Sequence, residues 1–76
     1  MTTVAAINKQ LGTTGMNPQI ILEDDRLQTT SVRVFATGGA EYPGRTAWAL
    51  LTVSDSAATS AAAVRTALAA GTGRVS

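Results

Sequence analysis

The side chains in this 76-residue sequence that could do chemistry are carboxylates, hydroxyls and guanidinium groups, since the sequence has no His and no Cys. That absence excludes a thiol nucleophile, a histidine general base, a disulfide framework and a Cys/His zinc site. Ser54, Ser56 and Ser60 have no histidine partner, and Lys9 completes no Ser-x-x-Lys pattern. The sequence therefore predicts a protein that is not an enzyme and uses no cofactor.

The run Glu23, Asp24 and Asp25 is the only acidic cluster in the sequence. Its oxygens are ligands that Ca²⁺ or Mg²⁺ prefers, but the run lacks the spaced Asp-x-Asp-x-Asp-Gly pattern of a calcium loop. We interpret it as a solvated turn and predict no metal site. The glycine-bearing loops at 12–15 and 38–39 likewise lack the Lys-Ser/Thr pair of a phosphate loop.

The arginines offer a second kind of chemistry, which is contact with nucleic acid. If the strands alternate as expected, one sheet face carries hydroxyls, two guanidinium groups and an aromatic ring, which could contact phosphates and stack a base. The candidate nucleic-acid-binding residues are Thr29, Ser31, Arg33, Phe35 and Arg45. The alternative is an ordinary solvated or subunit-facing sheet in which Arg33 pairs with an acid. The net charge of only +1 gives no broad electrostatic footprint for a polyanion or an anionic membrane.

The elements that must position these residues form a predicted α+β domain over residues 1–76. Val4, Ile7 and Leu11, between hydroxyls and a glycine, predict either a short N-terminal helix or a flexible arm, followed by a linker to residue 18. Three strands of an antiparallel meander are predicted at 19–23, 27–37 and 45–53, within a β region spanning 19–53. An alanine-rich helix over 55–70, capped by Ser54-Asp55-Ser56 and ended by Gly71, precedes a flexible tail at 71–76.

The pairing of these strands follows from the assumed turns. A tight turn between Asp24 and Asp25 and a loop centred on Glu41 would place Val34 opposite Trp48 and Val32 opposite Leu50. Trp48 is then a core residue on the apolar face, and the other face carries both apolar and polar side chains.

The thin core predicts self-association. About 45% of the residues are hydrophobic, but many of these are alanine and only 4% of the chain is aromatic. A chain this short is marginal alone, and one helix cannot cover both faces of a small sheet. We therefore expect a second copy of the chain to complete the sheet or to cover its second face. The candidate interface residues are Tyr42, Leu51, Val53, Val64 and Leu68. Tyr42 could equally cover the end of its own sheet.

The order of strands followed directly by a helix resembles the plan of single-stranded RNA bacteriophage coat proteins. The residues that carry this resemblance are 30–36, 47–53 and 54–68. The resemblance implies that the helix packs over a dimer partner's sheet while the other sheet face meets RNA. It also implies that Thr29, Ser31, Arg33 and Arg45 face the RNA.

Three functions remain open at this level. The first is a non-enzymatic, self-assembling structural protein, such as a phage capsid or accessory subunit, located in the cytoplasm or the virion. The second is a small RNA-binding module that uses the Arg33/Arg45 face. The third is an inhibitor or adaptor that offers a sheet edge or the Tyr42 loop to a foreign protein. No window is long and apolar enough to predict a membrane span.

Overall fold

The computed structural model describes residues 3–24 and 30–71 of the chain. In chain order they form α1 (Val4–Leu11), β1 (Gln19–Asp24), β2 (Ser31–Thr37), β3 (Thr46–Thr52) and α2 (Ala57–Ala70). The strands make one antiparallel sheet in the order β1-β2-β3. The predicted α+β meander with a C-terminal helix is confirmed, as is the N-terminal helix. The predicted tail lies almost entirely outside the described residues.

Both helices begin and end where the sequence provides caps. The Thr3 hydroxyl accepts a hydrogen bond from the Ala6 N–H at 3.1 Å, and the Ser56 hydroxyl accepts one from the Thr59 N–H at 3.1 Å. Each bond satisfies a backbone donor that the first turn of a helix leaves free. Gly71 ends α2 in the left-handed conformation, at φ 69°, which glycine adopts without a Cβ penalty.

The core lies between the two helices and one face of the sheet. Its largest fully buried side chains include Leu11, Val34, Val64 and Leu68. Around them are small residues from the sheet and from α2, which let the helix lie close to the strands: Ala36, Ala47, Ala49 and Ala61. Because both helices cover the same face, the described residues leave the other face of the sheet uncovered. In this arrangement α2 packs on the sheet of its own chain, not on a partner's sheet as the resemblance implied.

The predicted register of β3 is wrong by one residue. Val34 lies opposite Ala49, and Trp48 lies opposite Phe35. The loop sets this register, because the Gly38 N–H donates to the Arg45 carbonyl at 2.9 Å, and a one-residue slip exchanges the faces of a strand. Trp48 is therefore not a core residue; it lies on the uncovered face.

The predicted turn between Asp24 and Asp25 is also wrong. Asp24 is the last residue of β1, where it pairs with Arg33, and β2 begins at Ser31. A bulge between Ile20 and Leu22 shifts the phase of β1. Ile20 consequently faces the core, while Leu22 faces the uncovered side opposite Phe35. No helix in the described ranges has the length and apolar character to cross a membrane.

Arg65 joins three parts of the fold that are distant in sequence. Its Nε donates to Glu41 Oε2 at 2.9 Å, and its Nη2 donates to the Leu11 carbonyl at 3.0 Å. The guanidinium thus ties α2 both to the loop before β3 and to the end of α1. The side-chain hydrogen bond from Arg65 lowers the pKa of the Glu41 carboxyl, with the positive charge acting in the same direction.

This lowered pKa predicts a specific loss of stability in acid. A depressed carboxyl pKa contributes stability above the unfolded value of about 4.3, and that contribution disappears as the pH falls through the folded value. We expect Glu41→Gln to be less stable than the wild type near neutral pH, and the difference to shrink as the pH falls below the unfolded pKa of about 4.3. Urea unfolding midpoints of both proteins across this range measure it. A difference that stays constant with pH would show that the Glu41 charge contributes nothing.

Candidate functional site

The uncovered face of the sheet, hereafter the open face, carries alternate residues of the three strands. Burial alternates along β2 and β3, so that Val34, Ala36, Ala47 and Ala49 are buried while their neighbours are more accessible. The residues of the open face are Leu22 and Asp24 from β1, Ser31, Arg33, Phe35 and Thr37 from β2, and Thr46, Trp48, Leu50 and Thr52 from β3.

The centre of the open face is apolar and aromatic. Leu22, Phe35 and Trp48 lie side by side in one row across the three strands. The Phe35 and Trp48 rings are 5.0 Å apart between centroids and tilted by 52°, a geometry that aromatic pairs favour. Leu22 and Leu50 are 55% and 62% exposed. The two ends of the face carry hydroxyl residues, so an apolar centre is bordered by a polar rim.

The charges on the open face cancel. Arg33 Nη2 donates to Asp24 Oδ2 at 2.7 Å, and the Arg33 guanidinium carbon lies 4.7 Å from the centre of the Trp48 ring. The cation is therefore held both by a carboxylate and by the aromatic face. Since Asp24 and Arg33 are the charged residues that the described strands place on this face, its net charge is zero.

The structure separates the residues predicted to bind nucleic acid. Ser31, Arg33 and Phe35 share the open face. Arg45 lies on the helix side, where its Nη1 donates to the carbonyls of Leu68 at 3.4 Å and Ala69 at 3.1 Å. It thereby adds a donor to carbonyls in the last turn of α2, where backbone acceptors lack intrahelical partners, although the Leu68 carbonyl also accepts from the Gly71 N–H. The predicted Arg33/Arg45 patch is thus wrong, and Thr29 lies outside the described residues.

The predicted interface residues differ in burial: three lie in the core and two are partly exposed. Leu51, Val64 and Leu68 are at most 3% exposed and form the chain's own core, so they offer no surface to a partner. This corrects their assignment to an interface. Tyr42 is partly buried against that core, in agreement with the alternative that it covers the end of its own sheet. Val53, just after β3, is of intermediate exposure.

The outer edge of β1 is protected against pairing with another strand. The Ile20 N–H donates to Asn8 Oδ1 at 2.7 Å, and Asn8 Nδ2 donates to the Ile20 carbonyl at 3.3 Å. The Asn8 side chain of α1 thus takes the place of a neighbouring strand at this point. Next to it the bulge at Ile21 interrupts the edge, and two acidic residues end the strand. Bulges and charges are the usual devices that prevent edge pairing.

The outer edge of β3 has none of these devices. Its seven residues, Thr46–Thr52, include no charge and no proline, and they pair with β2 without interruption. The Val53 N–H donates to the Thr30 carbonyl at 3.2 Å, which fixes the direction of the backbone groups along the strand. The odd-numbered residues bond to β2, and the even-numbered residues direct their N–H and C=O outward.

A shallow groove runs beside this edge on the helix side. Small residues of α2 line it on one side and residues of the β3 edge on the other: Ala63, Thr66, Ala67 and Ala70, and Trp48, Ala49 and Leu50. The groove has no charged lining residue. Side chains of an added strand would find space there, because the helix presents nothing larger than threonine.

The described residues offer no other arrangement with evident chemistry. No group of three or more His, Cys, Asp or Glu residues could hold a metal ion in the two described ranges. Sequence reasoning missed Trp48 and Leu50 as surface residues. The available signal was the alternation of Ala47, Ala49 and Leu51 with bulkier or polar neighbours, since alanines suit the close approach of an alanine-rich helix.

The fold and its surfaces define a two-layer α+β protein with an open sheet face of zero net charge and one unprotected strand edge. Comparisons with protein-family models, curated proteins and solved structures found no match to this chain.

Proposed function

We propose that this chain is a structural subunit that assembles with copies of itself by pairing β3 with β3 of a second copy. The observation that supports this most directly is the contrast between the two sheet edges. The β1 edge is blocked by Asn8, a bulge and acidic residues, whereas the β3 edge is long, regular and uncharged. An exposed edge of that kind is a template for pairing with another chain.

Antiparallel pairing about a two-fold axis at Ala49 makes the fullest use of this edge. It places Trp48 of each copy opposite Leu50 of the other, and Thr46 opposite Thr52. The N–H and C=O groups of Trp48 and Leu50 then meet acceptors and donors in the second copy, and the two sheets become one sheet of six strands. The interface is isologous, as most dimers of identical chains are.

The role proposed is non-enzymatic, and the resemblance to single-stranded RNA phage coat proteins suggests a capsid or accessory subunit as its setting. Binding of RNA through the sheet has less support, because Arg33 is already paired with Asp24 and Arg45 bonds to α2. Nucleic-acid affinity depends largely on cations that neutralise phosphates. A foreign protein that adds a strand to β3 would use the same edge, and the measurement of mass distinguishes it from a second copy.

Leu50→Pro is the sharpest test of the edge. The Leu50 N–H points outward in the structure, so proline removes a donor needed for pairing while every hydrogen bond of β3 to β2 is kept. The side chain is 62% exposed, so the core is unaffected. We expect the purified wild type to contain at least two copies in native mass spectrometry, and Leu50→Pro to be a monomer with unchanged helical circular dichroism.

Leu50→Val is the matched control, since it keeps the N–H and suits a strand; it should remain associated. Leu50→Lys repeats the test without proline, by placing charges of the same sign beside the pairing axis. A monomeric wild type at tens of micromolar, or an assembly that persists in both Leu50→Pro and Leu50→Lys, would refute pairing through β3.

A further inference from the structure

The open face has the composition of the centre of a protein interface. Its middle row contains a leucine and two aromatic rings, Arg33 stacks on one of those rings, and hydroxyl residues border both ends. Aromatic residues and arginine are enriched where interfaces are most buried, and polar residues form the rim. Leu22 and Leu50, each more than half exposed, lie beside Phe35 and Trp48 on this face and extend the apolar patch, and such patches mark interaction sites.

Charge indicates which partner suits this face. Asp24 and Arg33 neutralise each other at 2.7 Å, so the face attracts neither a polyanion nor a polycation. An identical face brings the same pair of opposite charges, and it can oppose Arg33 with Asp24 of the other copy. A neutral, aromatic surface with a hydroxyl rim is therefore complementary to itself.

Area then indicates how many copies are needed. Three strands of about seven residues cover only about 24 × 14 Å, or roughly 340 Å², by ordinary strand spacings. A stable interface buries about 800 Å² of accessible surface per partner, more than twice the flat footprint of one chain, so one face alone is small for a stable interface. The six-stranded sheet formed by β3 pairing doubles the footprint to roughly 680 Å², which approaches that value.

We infer that two edge-paired dimers stack through their open faces to form a tetramer in which Trp48 is buried between the sheets. This inference depends on the proposed pairing through β3. Two stacked sheets about 10 Å apart, with side chains from both inner faces interlocked, are a common arrangement. Leu22, Phe35 and Trp48 of one dimer would fill that space together with the same residues of the other.

Leu22→Lys tests the stacking without touching the β3 edge, because Leu22 is on β1, the opposite edge of the sheet. We expect native mass spectrometry to find four copies in the wild type and two in Leu22→Lys. The protein concentration at which half of the tetramer dissociates should be at least about 100-fold higher in Leu22→Lys than in the wild type, since the tetramer would bury at least two of these leucines. Trp48 is the only tryptophan, so acrylamide should quench its fluorescence more strongly in the variant.

Ile21→Lys is the matched control. Ile21 is the adjacent residue, is 58% exposed, and has no cross-strand partner on the open face; this variant should remain a tetramer. Leu22→Thr repeats the test without a charge and protects the conclusion if Leu22→Lys does not fold. Leu50→Pro should give monomers, since a single face is too small to hold two chains together.

The outcomes separate the two proposals. A wild type of two copies, with Trp48 as accessible as in Leu22→Lys, overturns the stacking and leaves β3 pairing intact. A monomeric wild type overturns both. Equal dissociation by Ile21→Lys and Leu22→Lys also overturns the stacking, because the effect would not be specific to the open face. A dimer whose Trp48 is quenched by single-stranded poly(U) would assign the face to nucleic acid instead.

Discussion

Leu68→Ala should lower the free energy of unfolding by about 2–5 kcal/mol, the usual cost of truncating a buried leucine. Leu68 has no exposed surface and belongs to the core between α2 and the sheet. A domain of 76 residues has a total stability of only about 4–11 kcal/mol. The neighbours of Leu68 include many alanines, which are too small to fill the cavity by changing rotamer. The variant should therefore lose a large part of its stability, with Tm lower by roughly 10 °C or more.

Met16→Ala is the control for this loss. It removes a side chain of similar volume that is 66% exposed, so its effect should be within about 0.5 kcal/mol. Both variants must be unfolded at the same protein concentration as the wild type, because association shifts the apparent stability. Equal losses in the two variants would mean that the core does not lie where the structure places it.

Gly39→Ala should lower the stability by about 1.5–3.5 kcal/mol, through two separate costs. The first is the left-handed backbone, since Gly39 has φ +60°. The second is contact, because a Cβ at this position would lie 2.5 Å from the Asn17 carbonyl oxygen. To relieve that overlap the loop must move away from the segment before β1, which would break the bond from the Glu41 N–H to the Met16 carbonyl.

Gly44→Ala separates the two costs. Gly44 also has a positive φ, +71°, but a Cβ there meets no atom within 4 Å. It should therefore lose only the conformational part, about 1–2 kcal/mol. Chemical denaturation of both variants and the wild type measures the difference. If the two substitutions cost the same, the loop does not pack against the chain before β1.

The sequence determined the elements of this protein, because the signals for them are local. Thr3 and Gly12 delimit α1, and Ser56 and Gly71 delimit α2, since a cap acts on backbone groups within one turn of itself. The runs of β-branched and aromatic residues predicted the bounds of the three strands to within a few residues of those in the structure. The expectation that a second copy covers one sheet face, drawn partly from the count of large apolar residues, stays a prediction.

Only the tertiary structure decided which side chains occupy which face. Side chains alternate between the two faces along a strand, so a one-residue difference between the assumed and the actual register of β3 exchanges its faces. Trp48, predicted to lie in the core, therefore lies on the open face, and Leu51, predicted to lie at an interface, lies in the core. A bulge beside Ile20 placed Ile20 on the core side of β1, and the Ile20 backbone bonds there to Asn8 of α1. Arg45 and Arg65 found their partners across the fold, at the end of α2 and at Glu41. These contacts join residues far apart in the sequence, and no local pattern can specify them.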